Sequence, residues 1–270
     1  GFLSGLFSTF LYLSGNIEIL NFKIHNNSNA STGFFVNRTV FSIFLLFCLI
    51  SSLEYLRNTR NIEKNFLTCI YVRFFVVFIA IGLITTFSRI GNFLLLVSML
   101  FYLINEITNK KEKNTIFKNI LIIIILIDIF IFGIFFGSSR IVDRFSFLEN
   151  EFTEILNSDA NLSRFQIIKF AFYQIYDYLV FGYGPGSFEI LFQIKYTDTL
   201  STYANHAHSD LIQFIGEFGL VGFFLILLSI SNFFFNHLNY NLKSFILLFY
   251  LIIILLFDFS LHIPLIQFLF

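Results

Sequence analysis

The sequence predicts an all-α protein, a polytopic bundle of transmembrane helices with a helical extracytoplasmic cap between two of the spans. Three observations carry that expectation. Of 270 residues, 57% are apolar and only 13% charged, and the mean hydropathy is +0.80, which leaves too little charge to cover a soluble surface. The apolar residues gather in runs near the ~20 residues that cross a bilayer as a helix, and alternating strand patterns are absent. Between two of these runs lies Ser138–Asp210, too long and too polar for an idle connection.

Taken in order, the expected spans are Gly1–Leu13 (partial), Val40–Leu56, Phe66–Phe87, Ile90–Ile107, Ile120–Gly137, Leu211–Phe235 and Ser244–Leu261, with a last partial helix from near Pro264. The chain opens and closes inside apolar runs, as expected of a piece of a longer membrane protein. It divides into N-terminal spans (1–137), a cap (138–210) and C-terminal spans (211–270). With 43 Phe, 12 Tyr and no Trp, tyrosine is expected to mark the membrane interfaces. Cys48 and Cys69 lie inside apolar runs and read as packed thiols. A net charge of zero gives no support to a nucleic-acid partner.

Orientation follows from Lys and Arg in the short loops. Arg57, Arg60 and Lys64, then Lys110, Lys111, Lys113 and Lys118, then His237 and Lys243 fall on one side when the spans alternate, expected to be cytoplasmic. The opposite side receives Asn16–Thr39, the turn at Ser88–Arg89 and the cap, whose five Lys/Arg face nine Asp/Glu. Within the cap, Phe165, Ile168, Phe172, Ile175 and Leu179 form a helical stripe, read as an interfacial helix capped by Ser163. Phe181–Ser187 reads as a glycine-rich turn and Phe188–Tyr196 as a second short helix.

The residues that carry chemistry gather on the outer face. Arg89 and Arg38 stand at helix starts and Arg164 opens the interfacial helix. Taken singly they read as snorkelling or surface arginines. Together they suit an anion, because guanidinium grips phosphate oxygens bidentately and helix N-termini favour negative charge. Arg140 and Arg144 have acidic neighbours and read as structural. His206 and His208 precede a span. Their spacing is poor for zinc, so a general base is the better reading, with Asp210 offered as its orienting carboxylate. Glu217 lies within the following span, where a carboxylate needs a partner, expected to be an outer-face arginine. Gly216, Gly219 and Gly222 read as small residues for close helix packing. Asp258, His262 and Pro264 end the last full span and could line the same mouth.

Phe35–Arg38, Thr86–Gly91, the Arg164 helix, Phe181–Phe188, His206–Gly222 and Asp258–Pro264 occur in this order, and together they resemble the O-antigen ligase and polymerase superfamily of bacterial envelope glycan assembly. The histidine–glutamate–glycine block and the glycine turn are its most specific parts. The chain departs from the usual pattern at Ser209 and Thr39, where asparagine is common. The resemblance implies a metal-independent, inverting glycosyl transfer without cofactor on the periplasmic face of the inner membrane, from a glycan on polyprenyl (undecaprenyl) diphosphate. The acceptor would be the lipid A core in a ligase, another lipid-linked unit in a polymerase, or a protein hydroxyl in a related branch. It implies His208 as catalytic base and Arg89, Arg164 and Arg38 as diphosphate ligands, with His206, Asp210, Glu217, Gly184 and Gly186 in support and no metal. A transporter for a lipid-linked anion is the alternative of another class. It calls for a broken helix or polar path through the bundle, for which the sequence offers Asp128 and no mid-span proline.

Overall fold

The computed structural model describes residues 1–14, 18–19, 22–23, 30–58, 66–108, 115–131, 164–196, 204–237 and 242–269. It divides into two compact units, Gly1–Gly137 with Phe268–Phe270, and Ser138–Gln267. The fold is helical, and three helices are long and apolar enough to cross a membrane: Arg38–Asn58, Arg89–Thr108 and Asp210–Asn232. Phe2–Ser14, Ile70–Ile84 and Ser244–Phe257 are shorter apolar helices.

The first unit contains α1 (Phe2–Ser14), α2 (Arg38–Asn58), α3 (Phe66–Ile84), α4 (Arg89–Thr108) and α5 (115–131). α2 is its centre, packed on α3 and α4, with Phe41, Ile43, Leu45, Leu46, Leu49 and Leu53 wholly buried. Small residues set the close crossings. A Cβ on Gly82 of α3 would lie 2.8 Å from the Gly5 Cα of α1, and one on Gly91 of α4 would lie 2.3 Å from the Ser42 Oγ of α2. Near the other ends of α2 and α4, the buried Tyr102 hydroxyl donates to Glu54 Oε1 at 2.8 Å, and Arg57 reaches the same oxygen at 3.4 Å. Contacts at both ends make α2 and α4 parallel, so the N-terminal turns that carry Arg38 and Arg89 share one end of this unit. Outward-facing Phe10, Tyr71, Leu100, Ile104 and Phe130 would be a liability in water and suit a lipid surround.

The connection after α1 differs from expectation. It holds a two-residue antiparallel pair, β1 (Glu18–Ile19) with β2 (Phe22–Lys23). Two residues per strand are too few to show a period-two pattern in the sequence.

The second unit contains α6 (Arg164–Asp177), α7 (Phe188–Lys195), α8 (Asp210–His237), α9 (Leu242–Phe257), a 3-10 turn (Ser260–His262) and the start of α10 (Pro264–Leu269). α6 packs on α8 through a core of Ile167, Ala171, Phe188, Phe192, Ala204 and Ala207. Phe192 stacks on Tyr196 at 4.6 Å and meets Phe170 edge-on at 5.1 Å. Lys195 Nζ donates to Asp177 Oδ2 at 2.7 Å, joining the ends of α6 and α7. The face of α6 is a correction. Phe165, Phe172 and Leu179 of the expected stripe are exposed, Ile175 is buried as expected, and the packed edge is Ile167–Ala171–Ile175. Both sides of α6 are apolar, so periodicity alone does not choose between core and lipid. Ser163, Arg140, Arg144 and the loop lysines Lys110, Lys111 and Lys113 lie outside the described residues.

Candidate active site

The histidine turn, Ala204–Ser209, leads into α8, and its shape follows from which of its residues pack. Ala204 and Ala207 are small enough to bury in the core, and His206 and His208, which flank Ala207, are half-buried. His206 stacks on Phe259, centroids 4.7 Å apart, and His208 meets the same ring edge-on at 5.4 Å. His208 has φ +58°, a left-handed conformation uncommon outside glycine, and so one that its surroundings must hold. Those surroundings are specific. Ala207 N–H donates to Gln213 Oε1 at 3.0 Å, Asp210 N–H donates to the Asp258 carbonyl at 2.8 Å, and Ser209 Oγ donates to the Leu255 carbonyl at 3.3 Å.

Two buried carboxylates lie beneath this turn. Asp210 is 0% exposed and Glu217 is 2% exposed. Asp210 accepts from Leu261 N–H at 2.8 Å and pairs with His262 Nδ1. Glu217 Oε1 accepts from Gln213 Nε2 at 2.8 Å, and Oε2 accepts from Gly186 N–H at 2.9 Å. His262 Nε2 stands 3.8 Å from Glu217 Oε2, and its ring stacks on Phe214 at 4.4 Å. Burial acts to lower the His262 pKa, but the hydrogen bond to Asp210 and the charges of Asp210 and Glu217 outweigh it and push it up to about 9. The imidazole is therefore a cation at neutral pH. His206, 5.7 Å away ring to ring, goes the other way: burial and then the His262 charge lower it, so it is the neutral ring of the pair. Burial, followed by the Glu217 charge, raises the phenol of Tyr183.

α8 is broken at Gly219, with φ +68° and ψ −179°. The glycine turn, Gly182–Ser187, together with the end of the α6 segment, fills the break. Gly216 and Glu217 carbonyls accept from Tyr183 and Gly184 N–H at 2.9 and 3.0 Å, and Leu220 and Val221 N–H donate to Leu179 and Val180 carbonyls at 2.9 and 3.3 Å. These four backbone groups beside the break thus find partners, as a low-dielectric setting demands. The approach is tight, since a Cβ on Gly182 would lie 2.3 Å from the Glu217 carbonyl oxygen. The expectation that Gly219 serves helix packing is corrected: it is the point where the helix stops and restarts.

In the first unit, α2 and α4 start with Arg38 and Arg89. Asn37 Oδ1 accepts from Thr39 N–H at 2.7 Å, and Ser88 Oγ accepts from Gly91 N–H at 3.2 Å. Arg89 is exposed. Nearby in sequence, buried Asn92 finds no hydrogen-bond partner for either amide atom among the described residues.

Of the expected site residues, the structure gathers His206, His208, Asp210, Glu217, Gly184 and Gly186 in the second unit, and places Arg38 and Arg89 at one end of the first. Arg164 is the first residue of α6. Two pairings differ from expectation. The Asp210 carboxylate, offered to His208, holds His262, and among the described residues the ion pair to Glu217 comes from His262. Gln213 was missed, although Asp210, Gln213 and Glu217 at i, i+3 and i+7 share one helix face. His262 was noted only as lining the mouth. No spacing signal joins it to Asp210, 52 residues away.

A profile of the family described as O-antigen ligase matches residues 74–227, more than half of the chain, a stretch that holds Arg89, Arg164, the glycine turn and the histidine turn. No curated protein and no solved structure matches the chain.

Proposed function

We propose, since this chain belongs to the O-antigen ligase family, that it transfers a glycan from a polyprenyl diphosphate to an acceptor hydroxyl on the periplasmic face of the bacterial inner membrane. The observation that carries the reading is the histidine turn, held in a left-handed conformation at the mouth of a broken apolar helix inside the matched region. The remaining spans form the polytopic bundle and residues 138–210 the periplasmic cap.

The leaving group fixes what the site must do. As the bond between the anomeric carbon and the phosphate oxygen breaks, the diphosphate keeps the electron pair and its charge. Arg89 and Arg38, from parallel helix starts, and Arg164 hold that charge, with most effect where water is excluded. His208 takes the proton from the acceptor hydroxyl as its oxygen bonds to the anomeric carbon on the face opposite the diphosphate, which inverts the centre. A general base contributes about 10²- to 10⁴-fold. The lipid A core is the preferred acceptor. A second lipid-linked unit makes the same chemistry a polymerase, and a protein hydroxyl makes it a protein glycosyltransferase.

The break in α8 calls for one comparison, because discontinuous helices also build transporter sites. There, freed carbonyls face the transported species. Here the Gly216 and Glu217 carbonyls are taken by Tyr183 and Gly184, which favours a brace over a pathway.

The test uses the full-length protein in detergent with polyprenyl-diphosphate glycan and lipid A core together, products resolved by mass, and His208→Ala alongside. Glycan on lipid A, lost in the variant, supports the ligase. Longer chains still on the carrier point to a polymerase. Unimpaired transfer by His208→Ala removes this residue from the mechanism, and carrier movement without a new glycosidic bond replaces the reading with transport.

A further inference from the structure

We propose that His262 is a positioning residue, a clasp that ties the glycine turn and the histidine turn to the first half of α8, Asp210–Phe218, and so sets the geometry of His208. The proposal rests on the glycosyl-transfer reading.

Its basis is a closed chain of contacts with His262 at the centre. From Nδ1 the chain runs to Asp210, whose other oxygen takes Leu261 N–H and whose own N–H is bound to the Asp258 carbonyl. From Nε2 it runs to Glu217, which holds Gly186 of the glycine turn and the Gln213 amide. Gln213 in turn holds Ala207 N–H. The two ends, Ala207 and Asp210, lie on either side of the His208–Ser209 pair. His208 itself is in a backbone conformation that needs external support. The support comes from both flanks, and His262 joins them.

Charge makes His262 the member on which the others depend. Asp210 and Glu217 are both buried, and among the described residues the ion pairs to them come from His262. Removing that cation from two buried carboxylates takes away compensating charge, a loss that a protein interior tolerates poorly. Asp210 and Glu217 face His262 from α8, His206 faces it from the histidine turn and Asp258 lies on its own segment. Tyr183 and Glu189 act from the glycine turn and α7 through Glu217 and His206. The His262 pKa, raised to about 9, means the clasp is complete below the ordinary histidine value near 6.5 and is lost as pH rises through about 9. The support of His208 thus stays charged at neutral pH.

The test compares the full-length protein with His262→Gln in lipid nanodiscs. Transfer is followed from about pH 6 to pH 10, and histidine NMR is recorded on isotope-labelled samples. The clasp predicts turnover about 10- to 100-fold lower at neutral pH in the variant. It also predicts donor KM within about twofold and loss of the alkaline limb that the wild type shows near pH 9. Equal turnover and an unchanged pH profile in a folded variant overturn it. Should His262→Gln not fold, or should no acceptor yield transfer in the wild type, the NMR arm still decides. One imidazole of the wild type must titrate near 9 and move toward 6.5 in Glu217→Gln. If every histidine titrates below about 7.5 the clasp is refuted. Absence of transfer with that high-pKa histidine present refutes the transfer reading alone.

Discussion

Gly219→Ala probes the brace between the glycine turn and the broken helix, and its cost can be worked from the coordinates. At φ +68° and ψ −179°, Gly219 lies in a region open in practice only to glycine, so an alanine there carries about 1–3 kcal/mol of backbone strain. The added Cβ would lie 2.2 Å from the Val180 carbonyl oxygen and 2.6 Å from the Gly182 nitrogen. Both are backbone atoms and cannot rotate away, so the turn and α8 must separate. Separation forfeits the Leu220–Leu179 and Val221–Val180 hydrogen bonds, each worth about 1 kcal/mol net. The sum is about 3–5 kcal/mol, large against the stability of a domain. Gly186→Ala is the matched control. Its φ is +69°, but nothing lies within 4 Å of an added Cβ, so it bears only the left-handed cost of about 1–2 kcal/mol. Unfolding in detergent gives the two costs, and hydrogen exchange at Tyr183, Gly184, Leu220 and Val221 reports the brace directly. Equal costs for the two variants, or undiminished protection at those amides in Gly219→Ala, would refute the reasoning.

Other expectations follow from the same geometry. Glu217→Ala strips partners from Gly186, Gln213 and His262 at once and should destabilise by about 3–5 kcal/mol, whereas Glu217→Gln keeps an acceptor and should cost roughly half as much, both read from unfolding curves. Arg89→Lys keeps the charge but loses the planar fork; transfer should fall at least about tenfold with stability unchanged, and full activity would make Arg89 an ordinary interfacial residue. Tyr102→Phe leaves Glu54 without its hydroxyl donor and should cost about 1–3 kcal/mol without altering transfer, because it lies at the end of α2 and α4 away from Arg38 and Arg89.

How far the sequence could be read depended on the range of the interaction. Apolar runs locate helices to within a few residues, since backbone groups in lipid must bond within their own segment: Val40–Leu56 became Arg38–Asn58 and Ile90–Ile107 became Arg89–Thr108. The helix starts at Arg38 and Arg89 were legible from where the apolar runs begin, and Asn37 and Ser88 support them within three residues. The packed edge of α6 was legible only at Ile175, because Phe165, Phe172 and Leu179 are as apolar as Ile167 and Ala171, and only tertiary contact separates lipid from core. Gly219 read as a packing glycine because nothing local distinguishes it from Gly216. Its conformation is imposed by carbonyls of the 179–180 segment, some forty residues earlier. The site divides along the same line. Its histidine turn and glycine turn carry signatures in sequence, whereas the partner that unites them, His262, is known only once the last span folds back on the first turn of α8.

The break at Gly219 also changes how much chain the bilayer must accommodate. From Leu220 to His237 the restarted helix is about 27 Å long at 1.5 Å per residue, close to the ~30 Å of a hydrocarbon core. That second half is long enough to serve as the membrane anchor unaided. The nine residues from Asp210 to Phe218 are then released from spanning duty and can lie at headgroup depth, where a carboxylate pair and a charged imidazole cost far less than at the centre of the bilayer. A continuous α8 would offer either a full-length span or a shallow polar pocket. Interrupted at one glycine, it supplies both from a single run of sequence.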